Sequence, residues 1–165
     1  MNNSRIILLS YTALLFLTIG STLSTKAQTQ TYYWIGGNAE WNDPNAWSTT
    51  SGGASVGKIP NQNIAVVFDQ PAEDGYNVSI NEPAFCNDLK VEAESLIFNI
   101  AYKLHVDGDF VLDEQVFFDG EGKVVFELEE GNLWDSSNSI FSGPVEFQGA
   151  GCTISSHLFT QNKSI

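Results

Sequence analysis

The sequence predicts an all-β protein wound as a right-handed parallel β-solenoid behind an irregular, Trp-rich N-terminal cap, with a β-sandwich or jelly roll as the alternative. Three observations carry this. Beyond residue 63, apolar residues alternate in runs of three to five, as in Leu104-His105-Val106 and Val145-Glu146-Phe147, the period of a strand whose side chains point to opposite faces. Runs beginning near Leu96, Leu104, Phe110, Val116 and Val124 follow one another at short, even steps. Three such steps make a coil of about 20, tighter than the roughly 8–12-residue turn spacing of a sandwich. Between the runs lie Asp107-Gly108-Asp109, Asp119-Gly120-Glu121-Gly122, Glu130-Gly131-Asn132 and Ser142-Gly143-Pro144, all suited to sharp bends, and nowhere after residue 27 do ten residues keep a helical period.

The elements follow in chain order. Residues 1–27 carry Arg5, an apolar run from Ile6 to Ile19 and a polar end, Thr25-Lys26-Ala27, with small residues at −3 and −1. That is the pattern of a secretory signal peptide, too short for a spanning helix, and no later run is long enough to anchor the chain in a membrane. Residues 28–63 form the cap. Trp34, Trp41 and Trp47 lie close together, framed by the turn chemistry of Asn42-Asp43-Pro44-Asn45 and Gly52-Gly53. Residues 64–165 supply the coils, with strands expected at 65–68, 76–80, 89–91, 96–100, 104–106, 110–112, 116–118, 124–128, 140–141 and 145–147. In this register Leu89, Val91, Phe98, Ile100, Leu104, Val106, Phe110, Leu112, Val116, Phe118, Val124, Phe126, Leu128, Val145 and Phe147 point inward. Lys90, His105, Glu127 and Glu146 point outward, as do the apolar Val111, Phe117 and Val125. A last coil-like segment, 153–159, leaves the C-terminal end incomplete, so residues 160–165 are expected to be poorly ordered and the last coil the least stable.

Composition limits the partners. The 20 acidic and 7 basic residues give a formal charge of −13, and removing the leader with Arg5 and Lys26 takes it to −15. Such a chain lays no cationic surface along phosphates, which argues against nucleic acid and for a soluble monomer. Leu, Ile, Val and Phe supply over a quarter of the residues, above the roughly one-fifth level below which charged chains stay disordered. Cys86 and Cys152, far apart in the chain, either pair or stay as buried thiols; two cysteines make no disulfide scaffold.

The residues Tyr33-Trp34-Ile35-Gly36-Gly37, Trp41, Asp43-Pro44, Trp47-Ser48, Ile59-Pro60, Val66-Val67-Phe68-Asp69 and Cys86-Asn87-Asp88-Leu89-Lys90-Val91 add a further signal. With Leu104 to Leu112 and Gly143-Pro144-Val145-Glu146-Phe147, the order resembles a repeat module of large secreted, adhesin-like surface proteins of Gram-negative gliding-type bacteria, many exported by the type IX pathway. The resemblance implies a Trp-capped parallel β-solenoid with an adhesive or architectural role outside the cell, and a first cysteine that faces the core. The coils here are more acidic than that pattern, and no recognisable sorting domain follows, which makes the periplasm an alternative to secretion or the cell surface.

Chemistry, if present, resides in aromatics and carboxylates. Trp34, Trp41 and Trp47 would stack on sugar rings if exposed, or plug the end of the core if buried, and plugging is the stronger expectation because a terminal coil must be covered. Asp107, Asp109, Asp119 and Glu121 sit in bends that could offer oxygen ligands to calcium, the one cofactor the sequence suggests, although no EF-hand or nonapeptide ligand series is present. No catalytic set stands out. Asp113, Glu114, Glu127, Glu129 and Glu130 add carboxylates, but glycoside hydrolysis needs two at a defined separation with one pKa raised, and adjacency in sequence does not supply that. His105 and His157 lack catalytic partners at any recognisable spacing, and the sequon at Asn77 carries no weight without a eukaryotic host. The sequence thus points to a non-enzymatic secreted module contacting an extracellular glycan or a neighbouring envelope protein, with a polysaccharide-binding or polysaccharide-cleaving module as the alternative.

Overall fold

The computed structural model describes residues 29–69, 76–135, 138–149 and 153–154. Residues 1–28, Cys152 and residues 155–165 lie outside them, so the expectations for the signal peptide, the C-terminal tail and the cysteine pairing do too. Parallel strands wind into about four coils. The first strands are β1 (Gln30–Trp34) and β2 (Ala39–Glu40), followed by a 3-10 turn (Pro44–Ala46) and β3 (Trp47–Ser48). Full coils then run β4 (Ile64–Phe68), β5 (Tyr76–Ile80), β6 (Ala84–Cys86); β7 (Leu89–Val91), β8 (Leu96–Ile100), β9 (Lys103–Val106); β10 (Phe110–Leu112), β11 (Val116–Asp119), β12 (Lys123–Glu127); and β13 (Leu133–Asp135), β14 (Ser139–Phe141), β15 (Val145–Gln148), with β16 (Thr153–Ile154) beginning another.

Each coil contributes one strand to each of three sheets. Sheet A runs β3-β1-β4-β7-β10-β13-β16, sheet B runs β2-β5-β8-β11-β14 and sheet C runs β6-β9-β12-β15. Register pairs Leu89 with Phe110, Leu96 with Val116 and Leu104 with Val124, each pair one coil apart along the chain and at the coil length that the strand spacing predicts. Side chains alternate as the period requires: in β8 Leu96, Phe98 and Ile100 are buried while Asn99 is exposed. The inward column Val78, Phe98, Phe118, Phe141 stacks the rings of Phe98 and Phe118 at 5.0 Å and those of Phe118 and Phe141 at 4.6 Å, close to the ~4.8 Å distance between strands. Coil spacing also constrains the bends: Gly120 has φ +116°, and a Cβ there would lie 2.3 Å from the Ile100 carbonyl oxygen of the coil below.

The described strands refine the sequence expectations at three places. Residues 28–63 are not wholly an irregular cap, because β1 and β2 already stack in parallel register on β4 and β5. Val145 and Phe147 point inward as expected and pack against the core, half-buried in the last described strand of sheet C. Val125 keeps its outward parity between buried Val124 and Phe126, yet is 2% exposed. It stands between His105 and Glu146 of the flanking strands, outside the core cluster, so neighbouring outward side chains shelter it.

Candidate functional site

The three cap tryptophans face inward. Trp34, Trp41 and Trp47 are 1%, 1% and 0% exposed, which fits the stronger expectation of a plug and corrects their weaker reading as sugar-stacking candidates. Trp47 meets Trp34 and Trp41 edge-on, each at 4.9 Å, and packs on Phe68 at 5.8 Å. Its Nε1 donates to the Trp41 carbonyl (2.8 Å), and the Trp34 Nε1 donates to the Gly37 carbonyl (3.2 Å). The chain can turn to present these rings because the Asp43 side chain accepts from the Asn45 N–H (2.8 Å) ahead of Pro44. β3, pairing antiparallel with β1, closes sheet A at this end.

The carboxylates put forward as calcium ligands divide into two groups. Asp109 serves the fold: its Oδ1 accepts from the Leu133 N–H (2.8 Å) one coil above, just as the Asp88 Oδ1 accepts from the Asp109 N–H (2.8 Å). Gly108 makes room for that brace, since a Cβ there would lie 2.2 Å from the Asp88 Oδ1. Asp107 directly follows β9 of sheet C, where burial, then Glu127, raise its pKa and His105 opposes them. Asp119 and Glu121 do come together, in a shallow groove of about 280 Å³ at the corner between sheets B and C. Among the described residues no three His, Cys, Asp or Glu side chains are placed to hold a metal ion.

That groove is the candidate site. Register places Asn99 of β8 directly below Asp119 of β11, and Asn81 lines the same hollow from the coil beneath. The amide groups are held from one side: Asn81 Nδ2 donates to Glu40 Oε1 (3.2 Å) and Asn99 Nδ2 to Asn77 Oδ1 (3.4 Å). One oxygen of Asp119 accepts from the Ser142 hydroxyl (2.6 Å). Tyr102 follows directly on Ala101 of the groove wall and is 51% exposed, the most exposed large apolar side chain among the described residues. Its backbone is fixed by the coil above, whose Lys123 N–H donates to the Tyr102 carbonyl (2.8 Å). Neither Tyr102 nor the amides stood out in the sequence, because only the winding brings successive coils to one corner.

The remaining outer faces differ in chemistry. On sheet C, Phe85, His105, Val125 and Glu146 form one column, with Phe85 and His105 stacked at 4.8 Å and Glu146 paired to Lys123 at 2.5 Å. On sheet B, Ile97, Phe117 and Ile140 form an apolar column beside the polar one. A hollow of about 240 Å³ on sheet A lies among Ala65, Val67, Lys90 and Val111, but Lys90 is engaged by Glu92 (2.5 Å) and Asp113 (3.7 Å). No helix among the described residues is long and apolar enough to cross a membrane. Comparisons with protein-family models, curated proteins and solved structures find no significant match.

Proposed function

We propose that the chain is a non-enzymatic module of a secreted or cell-surface protein, with an adhesive or envelope-structural role. The observation that carries this reading is the use made of its carboxylates. Asp88 and Asp109 brace successive coils through backbone N–H groups, so these acids of the bends serve the stacking of the coils. Support also comes from the leader pattern, from the likeness to adhesin-like modules, and from a core filled by side chains that leaves the outer faces as the surfaces open to a partner. Immunolabelling of intact against permeabilised cells that express the protein tests the address. Labelling only after permeabilisation overturns the surface role, and release of reducing sugar from any polysaccharide incubated with the pure protein overturns the non-enzymatic one. The second reading, a polysaccharide-binding module, is favoured by the open polar groove lined by Asn81, Asn99, Asp119 and Glu121.

A further inference from the structure

Resting on the surface-module reading, we infer that the outer face of sheet B is a docking surface for a cationic amphipathic helix of a partner protein, with Ile97, Phe117 and Ile140 as the apolar contact and Glu94, Glu114 and Asp119 as charged rims. Register stacks Ile97, Phe117 and Ile140 on successive coils, and Phe117 and Ile140 are 38% and 36% exposed. No other outer column among the described residues is apolar over three coils. On sheet A, Lys90 separates Val67 from Val111, and on sheet C, His105 separates Phe85 from Val125. Apolar side chains held in line on a rigid face and left to water are surface that a partner gains free energy by covering.

Charge selects the occupant. Glu94 and Glu114 stand two residues before the paired Leu96 and Val116, and Asp119 ends β11, so exposed carboxylates border the column on both sides. No Lys or Arg lies in any strand of sheet B. Lysines near its corners are turned to other faces: Lys90 is paired with Glu92 and Asp113, and Lys123 with Glu146. On a chain of net charge −13, this face repels a second copy and an anionic lipid surface, and attracts lysine and arginine. The dimensions suit a helix. Two steps of ~4.8 Å carry the column about 10 Å from Ile97 to Ile140, the length of two helical turns with apolar residues at i, i+4 and i+7. The stretch from Glu114 to Asp119 reaches at most about 17 Å, room for a helix of about 10–12 Å with a cationic side chain against each rim.

The experiment titrates the mature protein into a fluorescently labelled helical Leu/Lys peptide of about 18 residues, or five turns, whose leucines fall on one face. A scrambled peptide of the same composition and the Leu/Glu counterpart serve as comparisons. The amphipathic Leu/Lys peptide is expected to bind, with affinity falling about tenfold in Phe117→Ala and in Ile140→Ala, the loss usual for a central apolar contact. Glu94→Gln combined with Glu114→Gln should weaken binding at low ionic strength, and the difference from the parent should shrink as salt screens the rims. Leu133→Ala, on the outer face of sheet A, should bind as the parent does. Melting curves of each variant separate lost binding from lost folding. No binding, equal binding of the scrambled or Leu/Glu peptide, or unchanged affinity in folded Phe117→Ala and Ile140→Ala overturns the docking surface. So does a dimer, or adsorption to phosphatidylcholine vesicles, that either apolar substitution abolishes, since the face would then belong to a second copy or to lipid. The surface role stands or falls separately on the labelling of intact cells.

Discussion

Cys86 ends β6 and Asp107 follows β9, its N–H donating to the Cys86 carbonyl (3.1 Å), and each responds to burial. Cys86 is 0% exposed, its Sγ lies 3.7 Å from the His105 carbonyl, and burial, then Asp107 and Asp88, push the thiol pKa well up. In a Cys152→Ser background, native protein should therefore leave Cys86 unmodified by a thiol reagent, and reaction should appear only on unfolding; fast labelling of the folded protein would place the thiol elsewhere. Asp107 gives a pH-dependent counterpart. Its folded pKa is raised, so the folded state holds this proton more tightly than the unfolded chain, and stability falls as pH rises through the interval between the two values. Asp107→Asn removes that cost. The variant should melt above the parent at pH 7, with the difference shrinking as acid protonates Asp107 in both states. A gap that grows toward low pH would contradict the assigned direction.

Within the strands, neighbours along the chain have opposite fates. Phe117 and Phe118 are adjacent in β11, yet Phe117 is 38% exposed and Phe118 is 2% exposed between Phe98 and Phe141. Phe118→Ala should cost about 3–5 kcal/mol, whereas Phe117→Ala should stay within about 0.5 kcal/mol, a contrast that urea denaturation of the two variants measures directly. Equal losses would contradict this alternation, and a reversed contrast would show the register to be shifted by one. Strand existence was legible wherever alternation ran for several residues: 76–80, 89–91, 96–100 and 110–112 are found at the expected bounds. The short strands β6 and β13 were not legible. Pro83 and Asn87 flank Ala84–Cys86, and Leu133–Asp135 has one inward apolar residue, Trp134, so neither shows a period within itself. They are strands because the coils below and above supply their ladders.

For the whole molecule, the N-terminal plug decides whether the stack of coils has a covered end. Trp34, Trp41, Trp47 and Trp134 are all at most 1% exposed, so acrylamide should quench native fluorescence weakly and quench strongly once the chain unfolds. Trp47→Ala, removing the ring wedged between Trp34, Trp41 and Phe68, should cost about 3–5 kcal/mol in denaturant unfolding. Strong native quenching, or a Trp47→Ala variant as stable as the parent, would mean that the plug is not closed.

Local periodicity and turn chemistry by themselves determined the all-β class, the length of a coil, the inward residues of most strands and the need for an aromatic cap, because each of these follows from alternation or bend composition within a short stretch of chain. Tertiary structure alone decided which acids brace the stack and which line a surface. Asp109 and Asp119 look alike in sequence, each beside a bend glycine; one caps the Leu133 N–H and the other lies in a groove with Asn99 and Glu121. The difference arises from neighbours a full coil away along the chain, and a ladder between coils leaves no mark on the residues beside it in the sequence.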